Sequence, residues 1–125
     1  MNKKQYTVIG GDLRSIKLAN LIADEGNKVN IYGFKNAGFE LGLKESESLK
    51  EAIYESDVII GPIPCTNDGE TLNTPFYLDK IYINEVFKIM SKNQLFLAGL
   101  ISPKIAHMAE VYNVYTIDLM EREEM

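Results

Sequence analysis

Five short apolar runs recur along the chain, each followed by a turn and then by a stretch whose apolar residues repeat every three or four positions. Strands separated by helices cannot pair as hairpins. They pair side by side as a parallel sheet with helices crossing over its faces. The runs are Gln5–Ile9, Lys28–Tyr32, Asp57–Ile60, Leu95–Ala98 and Val114–Ile117. The third is apolar throughout its centre, as a strand buried on both faces must be.

The intervening stretches carry start and stop signals. Leu13, Ile16, Ala19 and Ile22 share one helical face, and Gly26 follows as the stop. Ser46 or Ser48 caps a short helix with Leu49, Ala52 and Ile53. Ile83, Val86, Phe87 and Met90 mark the third helix. Ile105, Ala109 and Tyr112 mark the fourth, which Ser102 caps and Pro103 opens, where a missing N–H costs nothing. Gly33–Lys44 reads as irregular and glycine-rich, and Asp118–Met125 as a charged tail. The pattern predicts a three-layer α/β sandwich, a five-stranded parallel sheet in the flavodoxin-like, Rossmann-like order 2-1-3-4-5. Val8, Ile9, Val58, Ile59, Leu97 and Val114 are expected in its core. At 125 residues and 46% hydrophobic, the chain fits one such domain.

In open sheets of this kind, ligands bind beyond the carboxyl ends of the strands, where the strand order reverses. The first and third strands end there, in Gly10-Gly11-Asp12 and in the long stretch Gly61–Phe76, GPIPCTNDGETLNTPF. Three prolines, two glycines and Asn-Asp-Gly exclude continuous helix or strand in that stretch. Connections of this length tend to be functional. It is expected to form the floor or lid of a binding site, with Gly99–Ser102 beside it; a surface excursion without a ligand is the alternative.

A dinucleotide fingerprint is absent, because no third glycine follows Gly10-Gly11 and the second strand ends in Tyr32-Gly33-Phe34 without an acid. Helix starts at Asp12 and Ser102 remain able to hold a small carboxylate. Asp12 itself is better suited to capping its helix than to catalysis. The net charge of -5 disfavours a nucleic-acid partner. One cysteine, Cys65, forms no internal disulfide, and no run is long and apolar enough to span a membrane, so a reducing cytoplasmic setting is expected.

Other polar residues offer less. His107 has no ligating neighbours in sequence and is expected to face solvent, and no metal site is expected. Cys65 has no visible base and reads as a small side chain tolerated in a turn. Thr66, Asn67 and Thr74 offer neutral hydrogen bonds either to a polar ligand or to their own loop. Arg122 suits bidentate pairing with a carboxylate; the alternative is a solvated charge beside Glu121.

Val8-Ile9-Gly10-Gly11-Asp12-x-Arg14, the loop Pro62-Ile63-Pro64…Thr66…Thr74-Pro75-Phe76, the turn Ala98-Gly99-Leu100 and the terminal Glu121-Arg122-Glu123-Glu124 together resemble the N-terminal domain of the dipicolinate synthase A protein. The resemblance spans nearly the whole chain. It implies a substrate-side domain over residues 1–118, with 119–125 starting a linker to a second, NADP-binding domain, and no cofactor on this chain. It further implies oxidation of a dihydrodipicolinate-type precursor to pyridine-2,6-dicarboxylate during sporulation, in the mother-cell cytoplasm, with the flavoprotein of the same synthase, its B component, as partner. A homo-oligomer is left open. By position, Gly10, Gly11, Asp12, Pro62, Thr66 and Arg122 match motif positions lining the cleft and are the expected substrate-binding residues. The competing expectation is a free-standing module that binds a small ligand or a protein without chemistry.

Overall fold

A computed structural model describes residues 4–37 and 42–120. The elements run β1 (Gln5–Ile9), α1 (Leu13–Asp24), β2 (Lys28–Tyr32), α2 (Leu49–Tyr54), β3 (Val58–Ile60), α3 (Ile83–Ile89), β4 (Leu95–Ala98), α4 (Pro103–Val111) and β5 (Tyr115–Asp118). All strand pairs are parallel and the order is β2-β1-β3-β4-β5, as the alternation requires.

Alternation along each strand divides the core between the two faces. Val8, Ile31, Val58 and Ile60 pack with Ile16 and Ala19 of α1. Ile9, Ile59, Phe96 and Ala98 pack with Ile53 of α2, Val86 and Phe87 of α3, and Ile105 and Ala109 of α4. Phe87 and Phe96 meet edge to face, with centroids 5.2 Å apart, fixing α3 against β4. A buried polar knot ties the opposite ends of the strands. Gln94 Nε2 donates to the carbonyls of Ile53 (2.7 Å) and Ser56 (2.6 Å), while the Thr7 hydroxyl lies between Ser56 and the Ala52 carbonyl.

α1 lies against β1 and β2. Among the described residues no helix follows it over the β4–β5 half of the same face. Leu97 is therefore only half-buried, a departure from its expected place in the core, and its register partner Ile117 and neighbour Tyr115 are 50% and 69% exposed.

Local signals place the helix ends well. Asp12, Ser48 and Ser102 accept backbone N–H groups at the starts of α1, α2 and α4. Ser48, not Ser46, is the cap of α2, because the Ser46 N–H is drawn to the Ile31 carbonyl at the end of β2. β5 begins one residue later than expected and ends on Asp118. That residue reads as tail in sequence, yet it is an anchor: its carboxylate accepts the N–H groups of Leu100 (3.0 Å), Ile101 (2.8 Å) and Met120 (2.9 Å). The same contact holds Leu100, at φ 59°, in the left-handed region that leucine seldom enters.

Candidate functional site at the switch point

The carboxyl ends of β1 and β3 lie side by side, and the segment Gly61–Phe76 is folded down upon them. It is stitched there by backbone hydrogen bonds that cross the end of the sheet. Cys65 N–H donates to Gly99 O (2.7 Å), Asn73 N–H to Cys65 O (3.0 Å) and Gly11 N–H to Asn73 O (2.9 Å). Gly99 N–H returns to Pro62 O (3.2 Å). A segment tied at both ends to the strand termini is a floor, not a lid.

The glycines of the β1–α1 turn make room for that floor. Gly10 has φ +70°, and a Cβ there would lie 2.9 Å from Thr74 Cγ2 and 3.1 Å from Asn73 O. Its N–H donates to Tyr32 O at 2.9 Å. Gly10 and Gly11 are among the expected substrate-binding residues, but their N–H groups both serve carbonyls of this chain. The donors a dinucleotide fingerprint aims at a pyrophosphate are committed, and Asn73 and Thr74 occupy the space above them.

Thr66 is also spent within its loop. Its hydroxyl donates to the Thr71 carbonyl, lies 3.1 Å from Asp68 Oδ1 and accepts the Gly69 N–H at 2.9 Å. Asp68 in turn accepts the N–H groups of Thr71 and Glu70, each at 2.8 Å, and the Thr71 hydroxyl at 2.8 Å, which together hold its carboxyl well below the usual range. Asn67 Nδ2 donates to Asn73 Oδ1 at 3.1 Å. Cys65 is fully buried, whereas its sequence context reads as a tolerated turn residue. Burial pushes its thiol up to about 12, with the charge of Asp118 adding to the shift, which disfavours the nucleophilic thiolate. His107 is exposed, 3.9 Å from Glu110. Arg122 lies outside the described residues.

What remains open is a cleft of about 120 Å³ on the α1 side of the switch point, lined by Asp12, Arg14, Ser15, Leu18, Ile60, Gly61, Ile63 and Leu119. Pro62 is buried beside it, and its Cβ would sit 3.5 Å from a Cβ on Gly11. Gly10, Gly11, Asp12 and Pro62 are therefore brought together, and Thr66 is not. A wider hollow of about 700 Å³ lies against β2 and α2, but it is open, mixes Lys28, Lys44 and Lys50 with Glu51 and Glu55, and is remote from the strand ends where α/β sheets bind ligands.

Asp12 does two things in the cleft. One oxygen caps α1 through the Arg14 N–H (2.9 Å), and the carboxylate forks with the Arg14 side chain, at 3.2 Å from Nε and 3.0 Å from Nη2. The hydrogen bond and charge of Arg14 lower the Asp12 pKa, and Asp12 raises that of Arg14. Arg14 is not among the expected site residues, although it stands in the Gly-Gly-Asp-x-Arg motif. Helical periodicity assigns it to a solvated face and does not distinguish the solvent beyond the strand ends from solvent elsewhere.

A family model describing the N-terminal domain of the dipicolinate synthase A protein matches residues 5–120. This chain belongs to that family. Among solved structures, the dipicolinate synthase A protein from Bacillus subtilis is similar at 18% identity and a TM-score of 0.80, over 98% of this chain and 42% of that one. The corresponding dipicolinate synthase protein from Bacillus halodurans gives 22% and 0.79, over 95% and 41%. A D-lactate dehydrogenase with NAD+ from Lactobacillus jensenii gives 16% and 0.57, over 89% and 32%. This chain thus spans about two-fifths of the length of the dipicolinate synthase chains it matches. No curated protein sequence matches it. Among the described residues no helix is long and apolar enough to cross a membrane.

Proposed function

We propose that this chain is the substrate-side part of a dipicolinate synthase A protein, which oxidises a dihydrodipicolinate-type precursor to pyridine-2,6-dicarboxylate during sporulation. The hydride acceptor, NADP, belongs to a second domain in this reading. The task of the present residues is to bind and orient the dicarboxylate at the switch-point cleft, where Asp12 acts through Arg14 and Pro62 walls the floor. Arg122, outside the described residues, is assigned as a further counter-charge. The family match over residues 5–120 carries this reading, since it includes both loops that form the cleft. A flavoprotein partner and the mother-cell cytoplasm are part of the same proposal. The half-bare apolar face at Tyr115 and Ile117 supports packing against further polypeptide. It also favours a second reading, a binding module without chemistry.

Titration of the chain separately with pyridine-2,6-dicarboxylate and with NADPH, followed by NMR, tests the proposal. Dicarboxylate is expected to shift the amides of 10–15, 61 and 63, and NADPH is expected to leave them unmoved. Micromolar affinity for NADPH, or no response to the dicarboxylate, would overturn it.

A further inference from the structure

Arg14 is one of two arginines in a chain of net charge -5, and it stands over the switch-point cleft. The guanidinium meets Asp12 only along the edge formed by Nε and Nη2, at 3.2 and 3.0 Å. Its Nη2 also points toward the Ile63 carbonyl across the cleft, at 3.5 Å, and Nη1 has no hydrogen-bond partner among the described residues. The end-on edge, Nη1 with Nη2, is the one that matches a carboxylate with two parallel hydrogen bonds; Asp12 does not occupy it, and it carries only the long contact to the Ile63 carbonyl. Beside it, the half-buried Ser15 hydroxyl has no hydrogen-bond partner among the described residues. It lies where a side chain on residue 11 would be, since a Cβ on Gly11 would come within 2.0 Å of Ser15 Oγ. The other walls, Leu18, Ile60, Ile63 and Leu119, are apolar. A cleft with donors at one end and hydrocarbon along its sides suits a flat ring that carries a carboxylate.

Resting on the reading of this domain as one that binds a ring dicarboxylate, we propose that Arg14 and Ser15 form a carboxylate subsite. Arg14 takes one carboxylate of the ligand through its end-on edge, exchanging the long contact to the Ile63 carbonyl for it, and Ser15 donates a third hydrogen bond. Asp12 holds the guanidinium from its other side. Specificity then comes from the planar fork, and the positive charge alone does not suffice.

The test is calorimetric and NMR titration of the 125-residue chain and its Arg14→Ala, Arg14→Lys and Ser15→Ala variants with pyridine-2,6-dicarboxylate, using pyridine as the uncharged probe. Arg14 is exposed, so its replacements leave the far-UV circular dichroism unchanged. Arg14→Ala and Arg14→Lys are each expected to weaken dicarboxylate binding about tenfold or more, the equivalent of at least one charge-assisted hydrogen bond, while pyridine responds to neither. Ser15→Ala is expected to weaken it several-fold. Wild-type affinity in Arg14→Lys would reduce the residue to a point charge and overturn the subsite. Wild-type affinity in Arg14→Ala would overturn any role for Arg14 and leave the substrate-domain reading standing on wild-type binding. Failure of the unmodified chain to bind dicarboxylate would bring down that reading and the subsite together.

Discussion

Replacing Gly10 by alanine probes the floor of the cleft at its tightest point. The backbone at φ +70° places an added Cβ in the left-handed region, at a cost of roughly 1–2 kcal/mol for an L-residue. That Cβ would approach Thr74 Cγ2 to 2.9 Å and Asn73 O to 3.1 Å. The threonine methyl can rotate aside, but the carbonyl belongs to a chain tied at Cys65 and must shift by a few tenths of an ångström. Doing so stretches the 2.9 Å bond from Gly11 N–H, whose loss costs about 1 kcal/mol. Against this, alanine restricts the unfolded chain and recovers about 0.4–1 kcal/mol. The net expectation is a loss of about 1–3 kcal/mol. Gly69→Ala is the control, because Gly69 has φ +82° but its nearest prospective neighbour is Lys104 Nζ at 3.7 Å, so it carries the backbone strain alone. Urea denaturation followed by circular dichroism measures both, with the slope m unchanged if the unfolded state is unaltered. Hydrogen exchange at the Gly11 amide should accelerate in the Gly10 variant only. Equal midpoints for the two variants would refute the claim that the loop is packed onto the turn.

The remaining expectations concern titration. Cys65 should resist a thiol reagent at pH 8 in the folded chain and react on unfolding; prompt reaction in buffer would show that the loop opens freely. Because burial raises its pKa to about 12, the neutral thiol is favoured by the fold. Its contribution is therefore full below the ordinary thiol range, about 8.5, and is lost as pH rises from there toward 12. Cys65→Ala should flatten the alkaline limb of a stability profile. Asp68 has the opposite sign: its depressed pKa contributes stability above the ordinary carboxyl value, about 4, which is lost as pH falls below it. Asp68→Asn should lower the urea midpoint at pH 7 and remove part of the acid slope, and an unaltered slope would mean that the turn from Thr66 to Thr71 does not hold the carboxylate.

Much of the architecture was decided by local chemistry. Helix caps at Asp12 and Ser102, the proline at residue 103 and the glycine at 26 act on neighbours within a few positions, so their effect is readable from neighbouring letters. The strand order followed because right-handed crossovers leave few routes for five strands separated by helices. The meeting of Gly10–Asp12 with Gly61–Pro62 was legible for the same reason.

What only the folded chain decided lies in contacts between residues far apart in sequence. Cys65 looks like a turn residue until its N–H is seen on Gly99 and its carbonyl on Asn73, which draw its side chain into the core. Asp118 looks like part of a charged tail until β5 aligns it with the turn after β4, where it gathers three N–H groups. The glycines at 10 and 11 resemble a nucleotide turn in letters, yet their N–H groups face Tyr32 and Asn73, partners some twenty and sixty residues away. Arg14 occupies an unremarkable exposed position on a helical wheel, and only the approach of Ile63 and Leu119 turns that position into the rim of a cleft. Periodicity reports which side of an element is buried, because burial repeats with the element's own geometry. It carries no information about which distant segment arrives at the other side, and that arrival determines which donors are spent and which are left for a ligand.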